Sequence, residues 1–118
     1  MRSKRFKIKK ANVQTMKYNK LVRDRIPKII KKDGGVPLTH IANDKEYWRK
    51  LKEKLKEEVE EFLKGEDEHE LADILEVIYA IYDFKKVDKE KAEFIRKKRF
   101  KERGGFSKRI ILDGTKEV

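Results

Sequence analysis

Residues 57–75 read EEVEEFLKGEDEHELADIL, and this acidic stretch decides how the chain folds. Seven glutamates and two aspartates fall among these nineteen residues, although the whole chain carries a formal net charge of +11. The flanking apolar residues recur every three or four positions, as in an amphipathic helix, and Gly65 is a residue type that ends helices. The sequence therefore predicts two antiparallel helices joined by the short connection GEDEHE.

Residues suited to begin and end helices predict four of them. The starts are Pro27 in a first turn, Asn43 or Asp44, Asp67, and Asp88; the ends are Gly34-Gly35, Gly65, Tyr82 or Phe84, and Gly104-Gly105. Residues 106–112, FSKRIIL, alternate as a short strand would. The predicted fold class is mainly α, a helical hairpin or bundle with at most a small β element.

Length and composition indicate one thin hydrophobic core. With 118 residues, the chain has room for one domain, predicted over residues 17–118, after a basic and flexible arm at residues 1–16. Charged residues make up 47% of the chain and hydrophobic residues only 37%. Covering apolar faces between subunits would stabilise such a core, so we expect a homo-oligomer, a dimer or a tetramer.

Several protein classes are excluded by the composition. The chain contains no cysteine, which excludes a disulfide scaffold and thiolate zinc sites. No apolar run approaches the ~20 residues of a membrane-spanning helix, and the basic N-terminus lacks the apolar segment of a secretory signal. The sequence predicts a cytoplasmic protein that does not enter a membrane.

Charge is distributed unevenly along the chain. Residues 1–32 contain 13 basic residues and one acid, residues 33–82 contain 7 and 14, and residues 83–118 contain 13 and 7, giving +12, −7 and +6. An acidic middle between basic flanks is expected where carboxylates hold a cation and basic residues hold an anion attached to it. The alternative is a nucleic-acid-binding module that uses MRSKRFKIKK and RKKRFKER, for which inward-facing acids would have no purpose.

A helical wheel separates acids that point inward from acids that face solvent. The apolar stripes consist of Trp48, Leu51, Leu55, Val59 and Phe62 on the first long helix, and of Leu71, Ile74, Ile78 and Ile81 on the second. Glu57, Glu60 and Glu76 point away from these stripes. The acids within a stripe or at its border are Glu58, Glu61, Glu70 and Asp73. Antiparallel helices would bring these two pairs together across one interface.

Four carboxylates in a small space repel one another, and either proton sharing or a hard cation with oxygen ligands relieves that repulsion; a divalent metal is the simpler remedy. Magnesium fits best, with manganese as a substitute, because it shares carboxylates with substrate phosphates and keeps several waters. A purely structural interpretation also stands. Glu70 could complete a capping box with Asp67, and Glu58 could pair with Lys54 or Arg49.

Three segments of the sequence resemble a known enzyme family. EEVEEF (57–62) followed by HELADILEV (69–77) resembles the metal-binding signature of the MazG-like all-α nucleoside triphosphate pyrophosphohydrolases, with E-x-x-E and E-x-x-D on successive helices. YNKLVRDRIPKII (18–30) and RGGFSKRIIL (103–112) resemble its phosphoribosyl-ATP pyrophosphohydrolase-like branch, which includes predicted house-cleaning pyrophosphatases. The resemblance spans about residues 17–112 and implies that Glu58, Glu61, Glu70 and Asp73 coordinate magnesium. Only eight residues separate Glu61 from Glu70, fewer than in many MazG relatives, which leaves the substrate open.

The resemblance implies hydrolysis of a nucleoside triphosphate to a monophosphate and pyrophosphate, with non-canonical nucleotides as the expected substrates. Glu58 and Glu61 are the catalytic candidates, with Glu61 orienting or deprotonating the attacking water. The candidates for phosphate binding are Lys20, Arg23, Arg25, Arg103, Lys108 and Arg109. The alternative enzyme is the phosphoribosyl-ATP pyrophosphohydrolase of histidine biosynthesis, which shares the chemistry and differs in the pocket.

Overall fold

The computed structural model describes residues 15–117. Almost all of the predicted N-terminal arm, residues 1–14, lies outside the described residues. The helices are α1 (Ile26–Lys32), α2 (Asp44–Gly65), α3 (Glu68–Phe84) and α4 (Lys89–Arg103). Among the described residues there is no strand. The predicted mainly α class is therefore confirmed.

Side-chain caps begin two of the helices where the sequence predicts. Asn43 Oδ1 accepts a hydrogen bond of 2.9 Å from the Glu46 backbone N–H at the start of α2. Asp88 Oδ1 accepts one of 2.8 Å from the Lys91 backbone N–H at the start of α4. Each carboxamide or carboxylate satisfies a backbone donor that has no partner inside the helix, which fixes the first turn.

The connection between α2 and α3 is shorter than predicted. Gly65 is the last residue of α2, and Glu66 takes the left-handed conformation, with φ of 53°, while its N–H donates to the Phe62 carbonyl. Because α3 already begins at Glu68, only two residues join the helices. The hairpin is consequently tight, and the first turn of α3 lies close to the last turns of α2.

The hairpin buries both apolar and acidic side chains. Leu51 and Val77 are the buried apolar residues among those described, and Glu58 and Glu70 are the buried acids. Leu51 and Glu58 lie seven residues apart on α2, as Glu70 and Val77 do on α3, so each pair shares one helix face. Each helix thus contributes one apolar and one acidic residue to the inside of the hairpin.

The exposed positions correct two details of the predicted stripes. Val59 and Leu71, both assigned to a stripe, are exposed. The buried face of α2 is centred nearer to Leu51 and Glu58, and that of α3 nearer to Val77. The helical wheel assigns every apolar residue near one direction to the stripe. The structure buries only part of that apolar surface, and α3 in particular is apolar around most of its circumference.

The predicted strand at residues 106–112 is wrong. This segment has neither helix nor strand, and Phe106 is 97% exposed. A strand requires a neighbour for its backbone hydrogen bonds, and no other described segment pairs with this one. The alternation of apolar and polar residues indicates an extended local conformation, but it does not show that a neighbouring strand is available for pairing.

The chain divides into two compact units, one ending at Ile81 and the other beginning at Tyr82. The hairpin face with its acids belongs to the first unit. The second unit contains α4, which has no buried residue. In the described part of the chain, no helix combines the length and apolar character needed to cross a bilayer.

Replacing Leu51 with alanine should reduce the free energy of unfolding by about 2–5 kcal/mol, because it removes a fully buried side chain and leaves a cavity. Urea denaturation followed by circular dichroism measures this loss. The same substitution at Leu38, which is exposed, serves as the control. Equal losses in Leu51→Ala and Leu38→Ala would contradict the assignment of the core.

Candidate metal centre

Three carboxylates converge where α2 and α3 meet. Glu58, Glu70 and Asp73 each offer one oxygen, and these oxygens all lie within 4.8 Å of one another. Glu58 comes from α2, while Glu70 and Asp73 are three residues apart on one side of α3. The short connection brings the two helices together here, so Glu58 meets acids that follow it by twelve or more positions in sequence. We call these three acids the carboxylate triad.

Two members of the triad are deeply buried. Glu58 is 2% exposed and Glu70 is 7% exposed, whereas carboxylates are seldom fully buried unless they are paired. Within the described structure, Glu58 Oε1 and Glu70 Oε2 are buried oxygens that accept no hydrogen bond. Removing carboxylates from water costs solvation free energy, and placing them side by side adds electrostatic repulsion. The surroundings must therefore favour a positive charge at this point.

Two basic side chains from the same unit supply part of that charge. Lys54 Nζ lies 3.5 Å from Glu58 Oε2, one helical turn earlier on α2. Arg23 Nη2 donates to Asp73 Oδ1 at 2.9 Å from the segment before α1. Three carboxylates share this space, and a positive charge placed among them would be stabilised by each one that is ionised.

The fourth predicted ligand, Glu61, does not join the triad. Glu61 is half-buried and lies one turn after Glu58 on α2, but it is not among the acids whose oxygens converge. Glu70 and Asp73 have the same spacing on α3 and both join the triad, so helical spacing alone does not decide which acids converge. The structure thus brings together three of the four predicted ligands.

The predicted phosphate-binding residues fall into two groups. Lys20 and Arg23 lie against the hairpin, where Lys20 Nζ contacts Glu57 Oε2 at 3.0 Å and Arg23 contacts the triad. Arg25 is exposed at the start of α1. The remaining three, Arg103, Lys108 and Arg109, are exposed and lie in the unit that begins at Tyr82, so their role stays a prediction.

Two lysines of α2 that the sequence did not single out as anion ligands are Lys54, which contacts the triad, and Lys50. Lys54, besides its contact with Glu58, donates to Glu57 Oε1 at 2.9 Å. Lys50, one turn earlier, donates to the Asn19 carbonyl and lies 3.2 Å from Glu53 Oε1. The signal in the sequence that could identify Lys54 is its position four residues before Glu58. This spacing predicts an ion pair within one helix and does not by itself indicate anion binding.

Glu57 does not behave as the outward-facing acid that the wheel predicts. Burial by itself would raise the pKa of its carboxyl, but hydrogen bonds from Lys54 and Lys20, together with their charges, outweigh burial and lower the pKa. Glu57 therefore holds the segment before α1 against α2 through Lys20. Glu60 and Glu76, the other acids predicted to face outward, are exposed.

The donor set of the triad suits a hard divalent cation. Carboxylate oxygens are the protein ligands that magnesium prefers, and three of them leave positions for water or substrate phosphate. Neither histidine joins the cluster. His40 Nε2 lies 2.9 Å from Glu46, and His69 Nδ1 lies 2.9 Å from Asp67. Without nitrogen or sulfur ligands, the triad is a poor match for zinc or copper.

Comparison with known proteins gives one partial match. A segment of 41 residues is 51% identical to an uncharacterized protein of Mycolicibacterium smegmatis. The match covers 35% of this chain and 42% of that relative, so the chain spans less than half the length of the relative. No protein-family model matches the chain, and no solved structure matches it.

Replacing Glu57 with glutamine should lower the free energy of unfolding near neutral pH, because the two lysines lose their shared counter-ion. The folded-state pKa of Glu57 is lowered, so its stabilising effect is present above the unfolded-state pKa and is lost as the pH falls through the folded-state pKa. Urea denaturation of parent and variant across acidic and neutral pH measures this difference. It should shrink on acidification.

Glu60→Gln is the matched control for that experiment, because Glu60 is an exposed acid on the same helix. Its effect should be small at every pH. A pH-independent difference between parent and Glu57→Gln would argue against the ion pairs as the cause.

Proposed function

We propose that the chain is a magnesium-dependent nucleotide pyrophosphohydrolase. The observation that carries the proposal is the convergence of Glu58, Glu70 and Asp73, two of them almost completely buried, on one point between two helices. Burying acids side by side reduces stability, so a cluster that served stability alone would not be expected to gather three of them. The resemblance of residues 18–30, 57–77 and 103–112 to the MazG-like enzymes gives the reaction class.

The reaction is hydrolysis between the α- and β-phosphates of a nucleoside triphosphate. Water forms a bond to the α-phosphorus, the bridging bond to the β-phosphate breaks, and pyrophosphate leaves with the bonding electrons. Glu58, Glu70 and Asp73 would hold magnesium, which when bound lowers the pKa of a coordinated water and neutralises phosphate charge. Glu61, one turn after Glu58 on α2, is the base that would accept the proton of the attacking water.

Arg23 has a second use in this proposal. Its guanidinium is bonded to Asp73 and is 56% exposed, so it can turn from the carboxylate to a phosphate oxygen at little cost. Guanidinium groups bind phosphate through two parallel hydrogen bonds, which suits this exchange. A divalent cation at the triad would take over the neutralisation of Asp73 and free Arg23 for the substrate.

The proposal is tested by measuring pyrophosphate release from a panel of substrates with and without magnesium. The panel contains canonical, deoxy and damaged nucleoside triphosphates together with phosphoribosyl-ATP. Turnover restricted to phosphoribosyl-ATP would favour the histidine-biosynthetic enzyme over a house-cleaning role. Orthophosphate as the first product, or full activity in excess chelator, would contradict the proposal. Salt-dependent binding to duplex DNA without turnover would instead favour a nucleic-acid-binding module.

Single substitutions in the triad should abolish magnesium-dependent turnover and the rise in melting temperature that magnesium causes in the parent. Glu58→Gln, Glu70→Gln and Asp73→Asn each remove one charged ligand with little change in shape. Ligands that bind only the folded state stabilise it, so the thermal shift reports binding independently of activity. Glu70→Gln should also melt at a higher temperature than the parent without metal, because repulsion within the triad is reduced.

Glu60→Gln and Glu76→Gln are the controls for the triad, because both acids are exposed on the same two helices. They should retain activity and the magnesium-induced shift. Equal losses in the control variants and the triad variants would show that the acidic stretch acts only as a charged surface.

We also propose a homo-oligomer, a dimer or a tetramer. The hairpin leaves large apolar side chains exposed on both helices, namely Val59, Leu63, Leu71 and Leu75. Exposed apolar side chains one turn apart on each helix, as these are, are expected at a subunit interface. Light scattering should give a multiple of the 14.2 kDa chain mass at micromolar concentration. Leu75→Glu should reduce that mass, whereas Leu38→Glu, outside the hairpin, should not; a monomeric parent would contradict the proposal.

A further inference from the structure

A cleft of about 260 Å³ lies beside the triad, between residues 18–21 and one side of α2. The helix side of this cleft is formed by four charged residues from successive turns of α2, namely Lys50, Glu53, Lys54 and Glu57. Drug-sized ligands occupy pockets of ~300–1,000 Å³, so a cleft of this volume suits a small anion rather than an entire nucleotide.

Three lysines concentrate positive charge in the cleft. Lys20 enters from the segment before α1, and Lys50 and Lys54 enter from successive turns of α2. The side chains of Lys50 and Lys54 are only 17% and 12% exposed, which is unusual for lysine. Three lysines and two acids, Glu53 and Glu57, line the cleft, and one of the lysines, Lys54, is shared with the neighbouring triad.

Lys54 connects the cleft to the triad. Its ammonium lies 2.9 Å from Glu57 in the cleft wall and 3.5 Å from Glu58 in the triad. A single ammonium group therefore contacts both sites. An anion bound in the cleft would be adjacent to a cation bound by the triad, and the two would attract each other across Lys54.

We propose that this cleft binds the pyrophosphate portion of the substrate, that is, its β- and γ-phosphates and then the pyrophosphate product. The inference rests on the proposed function for the identity of the anion. Lys20, Lys50 and Lys54 are the ligands; ammonium groups carry three donors each and can exchange a carboxylate for a phosphate oxygen by a small rotation. The α-phosphate would then lie toward Glu58, where the bond to the leaving pyrophosphate breaks.

The lysines could serve only to hold residues 18–21 against α2, and the two roles differ in what they predict. A structural role affects the free energy of unfolding and leaves anion affinity unchanged in a folded variant. An anion-binding role changes the affinity for pyrophosphate in variants that remain folded. Measuring both quantities on the same variants therefore separates the roles.

The experiment is isothermal titration of the full chain with inorganic pyrophosphate, in the presence and absence of magnesium. Lys50→Gln and Lys54→Gln should each weaken pyrophosphate binding by about tenfold or more, because each removes a charge-assisted hydrogen bond. Lys54→Arg should retain most of the affinity. Lys56→Gln, an exposed lysine on the same helix, is the matched control and should bind as the parent does.

The magnesium-induced thermal shift is measured on the same variants, because all of them keep the three carboxylates; Lys50→Gln is the cleaner variant, since Lys54→Gln also removes an ion pair of Glu58. Lys50→Gln should keep this shift while losing pyrophosphate affinity. Unchanged pyrophosphate affinity in both glutamine variants, or a loss of the same size in Lys56→Gln, would overturn the proposal. If the parent shows no magnesium shift and no turnover, the proposed function fails; lysine-dependent pyrophosphate binding without magnesium would still support the cleft as an anion site.

Discussion

The burial of Glu58 and Glu70 side by side is the constraint on which the rest of the first unit depends. Two carboxylates removed from water in a small space cannot both remain ionised unless positive charge is nearby. The chain supplies it from two directions, through Lys54 on α2 and through Arg23 from the segment before α1. The attachment of that segment to the hairpin, through Arg23 to Asp73 and Lys20 to Glu57, therefore serves the charge balance of the triad as well as the packing of the chain.

Two groups of charged side chains adjoin along one side of α2 and share Lys54. The triad gathers three carboxylates, and the cleft gathers three lysines beside two glutamates. A lone cation would be stabilised by the carboxylates alone, and a lone anion by the lysines alone. A magnesium polyphosphate, the substrate that we propose, brings a cation and an anion together and would meet both groups. This complementarity connects the proposed hydrolysis with the proposed pyrophosphate site.

Local features of the sequence predicted the helices well, whereas contacts between residues distant in sequence were harder to predict. Caps such as Asn43 and Asp88 act within one turn, so their residue types are sufficient to place them. The wheel found Glu58, Glu70 and Asp73 because inward direction is a property of one helix at a time. It misjudged Glu57, since the lysine that holds it from outside the helix, Lys20, lies 37 positions away in sequence. The strand at residues 106–112 failed for the same reason, because pairing depends on a distant neighbour.

The four buried residues show that the hairpin loses stability by burying its acids. Leu51 and Val77 stabilise the fold because their burial removes apolar surface from water, whereas the burial of Glu58 and Glu70 costs stability. On each helix the buried apolar residue and the buried acid lie seven positions apart, so both occupy one helix face. A chain selected for stability alone would gain from apolar residues at all four positions. The two buried acids are therefore in keeping with the cation that we propose binds there, because a cation that binds only the folded chain would return stability to it.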